Sequence, residues 1–185
     1  MNAVDAITDE NTLKLVPILL KKHYGQQFQD VWVVGVNLAL RISDLLSIRY
    51  SDINNGRLRI KESKTNKSVD IPLNEKAAAV VEVIMNKYPD DEYLFQSRSS
   101  RNLSGRVKPL SRQSISAAFK DVGSMVDVQL SSHSLRKTRG YFLYKKTNDI
   151  ARVSKMLRHS NTGVTLRYIG LTKMDVDSDF NELVL

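Results

Sequence analysis

Between Phe28 and Leu40 the chain reads FQDVWVVGVNLAL. At helical pitch this stretch is apolar on nearly every side, and a helix of that kind has to be enclosed by other elements. It is too short to cross a membrane, and Asn37 interrupts it. The run therefore predicts a central, buried helix around which the rest of the chain packs. With 185 residues, 42% of them apolar and 26% charged, there is enough material for one domain with such a core.

The elements on either side follow from local signals. Asp9 or Thr8 caps a first helix through Leu13, Val16, Leu19 and Leu20 to about Tyr24, with Gly25 as its stop. Pro17 inside it predicts a kink or a later start. After the central helix, Ser43 is expected to cap a short helix with Leu45, Leu46 and Ile48 inward. Arg41 stands at that junction, and Asp44 is its candidate ion partner. Asn54-Asn55-Gly56 signals a turn. Arg57–Ile60 and Ser68–Leu73 alternate as half-exposed strands do, which predicts a β-hairpin tipped by the lysine-rich Lys61–Lys67. Asn74 caps a helix to about Tyr88, and Tyr93-Leu94-Phe95 reads as a short strand. Gln96–Pro109 is a polar, basic loop. Ser111 caps a helix over Arg112–Met125, and the next helix opens near His133 and carries Tyr141, Phe142 and Tyr144. Asn148 is expected to cap another over Asp149–Leu157. Ser160–Gly163 breaks the chain before a last turn or more at Thr165–Tyr168. The expected fold class is α+β, mainly α-helical, with a small antiparallel sheet or hairpin at one edge.

Charge narrows the partners. Lys and Arg number 28 against 20 Asp and Glu, giving +8 and a pI near 9.7. Such an excess favours a polyanionic partner, nucleic acid first and an anionic membrane second, although a merely basic surface accounts for the charge equally well. There is no cysteine, so neither disulfides nor thiolate metal sites are possible. Three histidines do not readily build a zinc site, and His23 sits at a polar helix end. Nucleotide-binding glycine loops are absent. The acidic N-terminal residues do not look like a signal peptide, which leads to the expectation of a cytoplasmic protein.

The chemistry concentrates in His133–Tyr168, HSLRKTRGYFLYKKTNDIARVSKMLRHSNTGVTLRY. Residues three apart share a helix face, so His133 and Arg136 can address one place. Arginine presents a fork that matches phosphate oxygens. Histidine exchanges protons near neutral pH, and tyrosine becomes a nucleophile once its proton can leave. His159 and Tyr168 close the segment. Together these groups suit phosphoryl transfer onto a tyrosine.

Four pieces now stand in order: Leu40-Arg41-Ile42-Ser43-Asp44-Leu45-Leu46, Lys64-Thr-Asn-Lys-Ser-Val-Asp-Ile-Pro-Leu73, His133-Ser-Leu-Arg136, and Leu157-Arg-His159-Ser with Thr165 and Tyr168. In that order they resemble the catalytic domain of the tyrosine recombinases, the phage integrase family, over about Thr8 to Leu171. The resemblance implies a site-specific recombinase that cleaves DNA through a 3′-phosphotyrosyl link and needs no cofactor and no metal. It implies Arg41, Lys64, His133, Arg136, His159 and Tyr168 as catalytic residues, with Tyr168 the nucleophile. Asp44 would orient Arg41 or a histidine. The expected DNA contacts are Lys67, Arg98, Arg101, Arg106, Lys108, Arg112, Lys137, Arg139 and Arg158. The expected partner is double-stranded DNA in a bacterial or phage setting, bound by a tetramer assembled from free monomers, with no membrane.

Ala39 and Arg158 depart from the family, which often has glycine there, and neither is expected to touch the reacting groups. The family's N-terminal core-binding domain is expected to be missing, so that residues 1–185 form a single catalytic domain. The tail, about 173–185, is expected to dock on a neighbouring copy through Phe180, Leu183, Val184 and Leu185, or on its own core. Competing readings are a type IB topoisomerase-like enzyme, a non-catalytic DNA-binding relative, and a basic adaptor.

Overall fold

The central helix forms where the apolar run requires it. In the computed structural model, which describes residues 6–98, 106–159 and 161–169, α2 spans Gln26–Leu38 and buries Val31, Trp32, Val34, Gly35 and Leu38. Each large apolar side chain so enclosed contributes about 1.5–3 kcal/mol. Helix α1, Glu10–Tyr24, lies against α2. Its cap is Asp9, which accepts from Thr12 N, so Thr8 is not the cap, and the helix continues through Pro17. Arg101 and the tail from residue 173 lie outside the described residues.

Four further helices close around α2. The short α3, Ile42–Leu46, follows it directly; Arg41, not Ser43, holds its N-cap position, and no side chain caps it. Helix α4, Glu75–Lys87, is capped by Asn74, and α6, Ser134–Thr147, crosses α2 at Gly35. A Cβ on Gly35 would come within 2.8 Å of side-chain carbons of Leu135 and Leu45, so glycine sets how closely α6 and α3 approach. Helix α5, Arg112–Met125, is capped by Ser111 and places Phe119 edge-on to Trp32 at 5.1 Å.

The sheet has three antiparallel strands, β1 Ile53–Asn54, β2 Arg57–Lys61 and β3 Ser68–Pro72, in that spatial order. Asn55 and Gly56 take positive φ at the first turn. Pairing from Arg57 with Pro72 to Lys61 with Ser68 turns Leu58 and Val69 into the core. The expected strand at Tyr93-Leu94-Phe95 is instead a pair of isolated bridges, Arg49 with Tyr93 and Gln96 with Pro109.

The last two helices, α7 Ile150–Leu157 and α8 Thr162–Ile169, build a second, smaller core from Ala39, Val153, Leu157 and Ile169, with Tyr168 packed against it. Asn148 does not cap α7. It ends α6 in the left-handed region at φ 48°, and Asp149 caps α7 by accepting from Arg152 N. Helices α6 and α8 meet closely at Gly140, where a Cβ would stand 2.8 Å from Ile169. Among the described residues no helix is long and apolar enough to cross a membrane.

Candidate active site

Two helix ends create the first half of the site. Helices α2 and α7 stop at Ala39 (φ 51°) and Arg158 (φ 56°), both left-handed. A helix end leaves carbonyls unpaired and carries partial negative charge. Arg136, in the first turn of α6 and 2% exposed, satisfies both ends: Nη1 donates to Ala39 O and Nη2 to Leu157 O, each at 2.6 Å. Burial depresses its pKa, while a phenolate charge at Tyr168 would raise it.

The left-handed φ explains why glycine suits positions 39 and 158. For Ala39 the structure corrects the expectation of no contact with the candidate catalytic groups, whereas Arg158 reaches Glu62 and not those groups. The Ala39 carbonyl holds Arg136, and the Arg158 side chain lies inside the site.

Arg41 occupies the second half, and its partner is Glu62 rather than Asp44. Arg41 Nη1 lies 2.8 Å from Glu62 Oε2, and Arg158 Nε lies 2.8 Å from Glu62 Oε1. Thr65 Oγ1 donates to Glu62 Oε2 at 2.6 Å. The Glu62 side chain is fully buried. Burial alone would raise its pKa; hydrogen bonds from Thr65 and Arg158 and the pairing with Arg41 outweigh that and hold it at about 2. Arg158 Nη2 is buried without a hydrogen bond among the described residues, while Arg41 Nη1 has the Glu62 carboxylate as its partner.

Asp44, 2% exposed, serves the hairpin instead of Arg41 or a histidine. Its Oδ1 accepts from Ser63 N at 2.9 Å and Ser63 Oγ at 2.7 Å. The reason is geometric: α3 points Asp44 at the hairpin base, where Glu62 already holds Arg41. The hairpin is thus fastened at Glu62 and Ser63, immediately before Lys64.

His159 and Tyr168 complete the pocket. Their rings meet edge-to-face with centroids 5.0 Å apart, and Lys137 Nζ stands 5.4 Å from the Tyr168 ring centre. His159 Nδ1 shares a hydrogen bond with Thr165 Oγ1 at 3.0 Å. Burial, then the charges of Arg136, Arg41 and Arg158, lower the His159 pKa, so the ring is neutral at pH 7. Burial pushes the Tyr168 pKa up, against the Arg136 and Arg41 charges and a hydrogen bond from Arg136. The phenol is therefore protonated at rest. The guanidiniums oppose the cost of ionising it without cancelling it.

His133 sits at the exposed rim, in the N-cap position of α6. Desolvation and the nearby cations Arg112, Arg136, Lys137 and Lys64 lower its pKa, so this ring too is neutral. Lys64, Arg112 and Lys137 thus lie close enough to His133 for their charges to act on it. Lys67 is exposed at the far side of the hairpin turn, where its carbonyl accepts from Glu62 N. Arg106 and Lys108 are exposed on the 106–110 segment. Two expected DNA contacts lie elsewhere. Arg98 pairs with Asp91 and stacks 3.5 Å from the Tyr88 ring centre, and Arg139 lines a groove with Glu10 and Lys14 of α1.

Glu62 is the residue that sequence reasoning missed, although the signal was there. Period-two alternation puts it on the same face as Leu58 and Ile60, and an acid on an inward face needs cations.

A model of the phage integrase family matches residues 28–174. The probable integrase/recombinase YoeC of Bacillus subtilis (strain 168) is 34% identical over 155 residues, 83% of this chain and 81% of YoeC. The crystal structure of XerA recombinase superposes with a TM-score of 0.72 at 15% identity, covering 98% of this chain and 65% of XerA. The Tn1549 transposon integrase in complex with circular intermediate DNA gives 0.70 at 14% identity, covering 99% of this chain and 66% of that one. At these identities the two structures establish a shared fold.

Proposed function

The chain belongs to the phage integrase family, and from that premise we propose that it is a site-specific recombinase that cuts and rejoins DNA through Tyr168. The carrying observation is the convergence of Tyr168, His159, Arg136 and Arg41 from four separate elements on one cationic pocket. The net charge of +8 and the DNA-bound Tn1549 integrase of the same fold support double-stranded DNA as the partner.

In the proposed reaction the Tyr168 oxygen attacks a phosphodiester phosphorus. The new P–O bond is a 3′-phosphotyrosyl link, and the P–O5′ bond breaks. The phenol proton passes to His133, whose neutral ring can accept it. Lys64 delivers a proton to the departing O5′. Arg41 and Arg136 hold the non-bridging oxygens, where negative charge grows in the transition state. His159 donates to one of those oxygens from Nε2, its Nδ1 being engaged by Thr165. A 5′-hydroxyl from a partner strand then reverses the step, so the bond energy is conserved. Exchange between two duplexes requires four such cuts, hence four copies on paired DNA, assembled from monomers.

The test uses a nicked duplex selected for binding from a randomised pool. Wild type should form a denaturation-resistant adduct. Tyr168→Phe should bind that duplex with similar affinity and form none. An adduct at normal yield in Tyr168→Phe would refute the reading.

A further inference from the structure

Glu62 is a carboxylate of the site with no part in the reaction just described. Glu62 is fully buried between two guanidiniums, 2.8 Å from Arg41 and 2.8 Å from Arg158. Burying an unneeded acid beside a phosphate site is unfavourable twice over, through desolvation and through repulsion of the substrate. Its geometry offers a reason for its presence. Arg136 is fixed by two backbone carbonyls, but Arg41 has no carbonyl mount among the described residues, and Glu62 stands where one would be needed.

We propose that Glu62 is a positioning residue that sets the Arg41 guanidinium for the scissile phosphate and uses Arg158 as its second anchor. The inference rests on the recombinase reading above. Three observations carry it. Glu62 belongs to the hairpin and lies two residues before Lys64, so one side chain ties the hairpin to the phosphate-holding arginine. Thr65 and Arg158 bond one carboxylate oxygen each, which fixes its orientation. Arg158 Nη1 donates to Met156 O at 3.1 Å, so the second anchor is itself fixed to the backbone at the end of α7. Arg158 thereby acquires a task distinct from the DNA contact expected of it.

The test reads binding and chemistry separately on the same selected nicked duplex, with either a phosphodiester or a neutral methylphosphonate at the scissile position. Glu62→Gln adds one unit of net positive charge, so affinity should hold or tighten. Adduct formation on the phosphodiester should slow by about 10²-fold, the typical cost of a misplaced catalytic group. On the methylphosphonate, which has one charged oxygen fewer to hold, the loss should shrink. Glu62→Asp keeps the charge but withdraws the carboxylate by one methylene. It should show the same split, and it carries the test if Glu62→Gln does not fold. Wild-type rates in the folded variants, or an equal loss on both substrates, would overturn the inference while leaving the recombinase reading intact. No adduct from wild type would overturn both.

Discussion

The two arginines proposed to hold the phosphate are mounted in opposite ways. Arg136 is buried and hangs from the carbonyls of Ala39 and Leu157. Arg41 is partly exposed and leans on a side chain, Glu62, that arrives from the hairpin. The first mount is made of backbone, so it exists wherever α2 and α7 end correctly. The second is made of side chains, so a single substitution can remove it without disturbing any helix. The comparison divides the site into a half whose loss disturbs the fold and a half whose loss disturbs chemistry.

The largest effect should come from breaking the backbone mount. Arg136→Ala strands two buried carbonyls at about 1–3 kcal/mol each, or about 2–6 kcal/mol in total. Arg41→Ala leaves Glu62 bonded to Arg158 and Thr65 and should cost less, about 1–3 kcal/mol. Both variants should lose adduct formation. Denaturant midpoints at constant m-value check the ordering; equal losses would erase the distinction between the mounts.

The hairpin half should respond in rate. Lys64→Ala should slow cleavage by about 10²–10⁴-fold, the usual range for a general acid. A substrate with sulfur at the 5′-bridging position leaves as a thiolate and should restore a nearly wild-type rate. Lys67→Ala should show only a modest binding loss that shrinks with added salt. Rescue by sulfur in Lys67→Ala instead would move the acid to Lys67.

Stability against pH gives a smaller signal. His133 and His159 both have folded pKa values below the ordinary 6.5. Below 6.5 the unfolded chain therefore binds protons that the folded chain refuses. Stability should be complete above that value and decline as pH falls through the window beneath it. Glu62, held at about 2 against an ordinary 4.5, adds a second loss as pH falls from 4.5 toward 2. Thermal midpoints of wild type and of His133→Asn/His159→Asn check this; the double variant should lose the upper step and keep the lower one. The smallest effect belongs to Arg98→Ala. Arg98 is paired with Asp91 and Tyr88 away from the pocket, so the cleavage rate should be unchanged.

The contrast also explains what was legible beforehand. Arg41, Arg136, His159 and Tyr168 stand out in the sequence because each falls in one of the ordered boxes that resemble the family, and the fold brings the four together. The central helix was readable from its all-round apolarity. The mount of Arg136 was hidden because it is carbonyl oxygen, which every residue owns; only the oddity of Ala39 and Arg158 hinted at it. The pairing of Arg41 was misread because Asp44, three residues away, is the nearer partner in sequence. The true partner, Glu62, is reached only after the hairpin folds back. Ser43 and Asn148 were misread as caps because their types also suit a helix interior or a left-handed stop.

The most direct test of the account is the site of attachment. Wild-type protein trapped on the selected nicked duplex is digested with protease and nuclease, and the nucleotide-bearing peptide is identified by mass spectrometry. The account predicts a 3′-phosphoryl nucleotide on Tyr168 alone. Attachment at Tyr141 or Tyr144, both on α6, or through a serine, would contradict it.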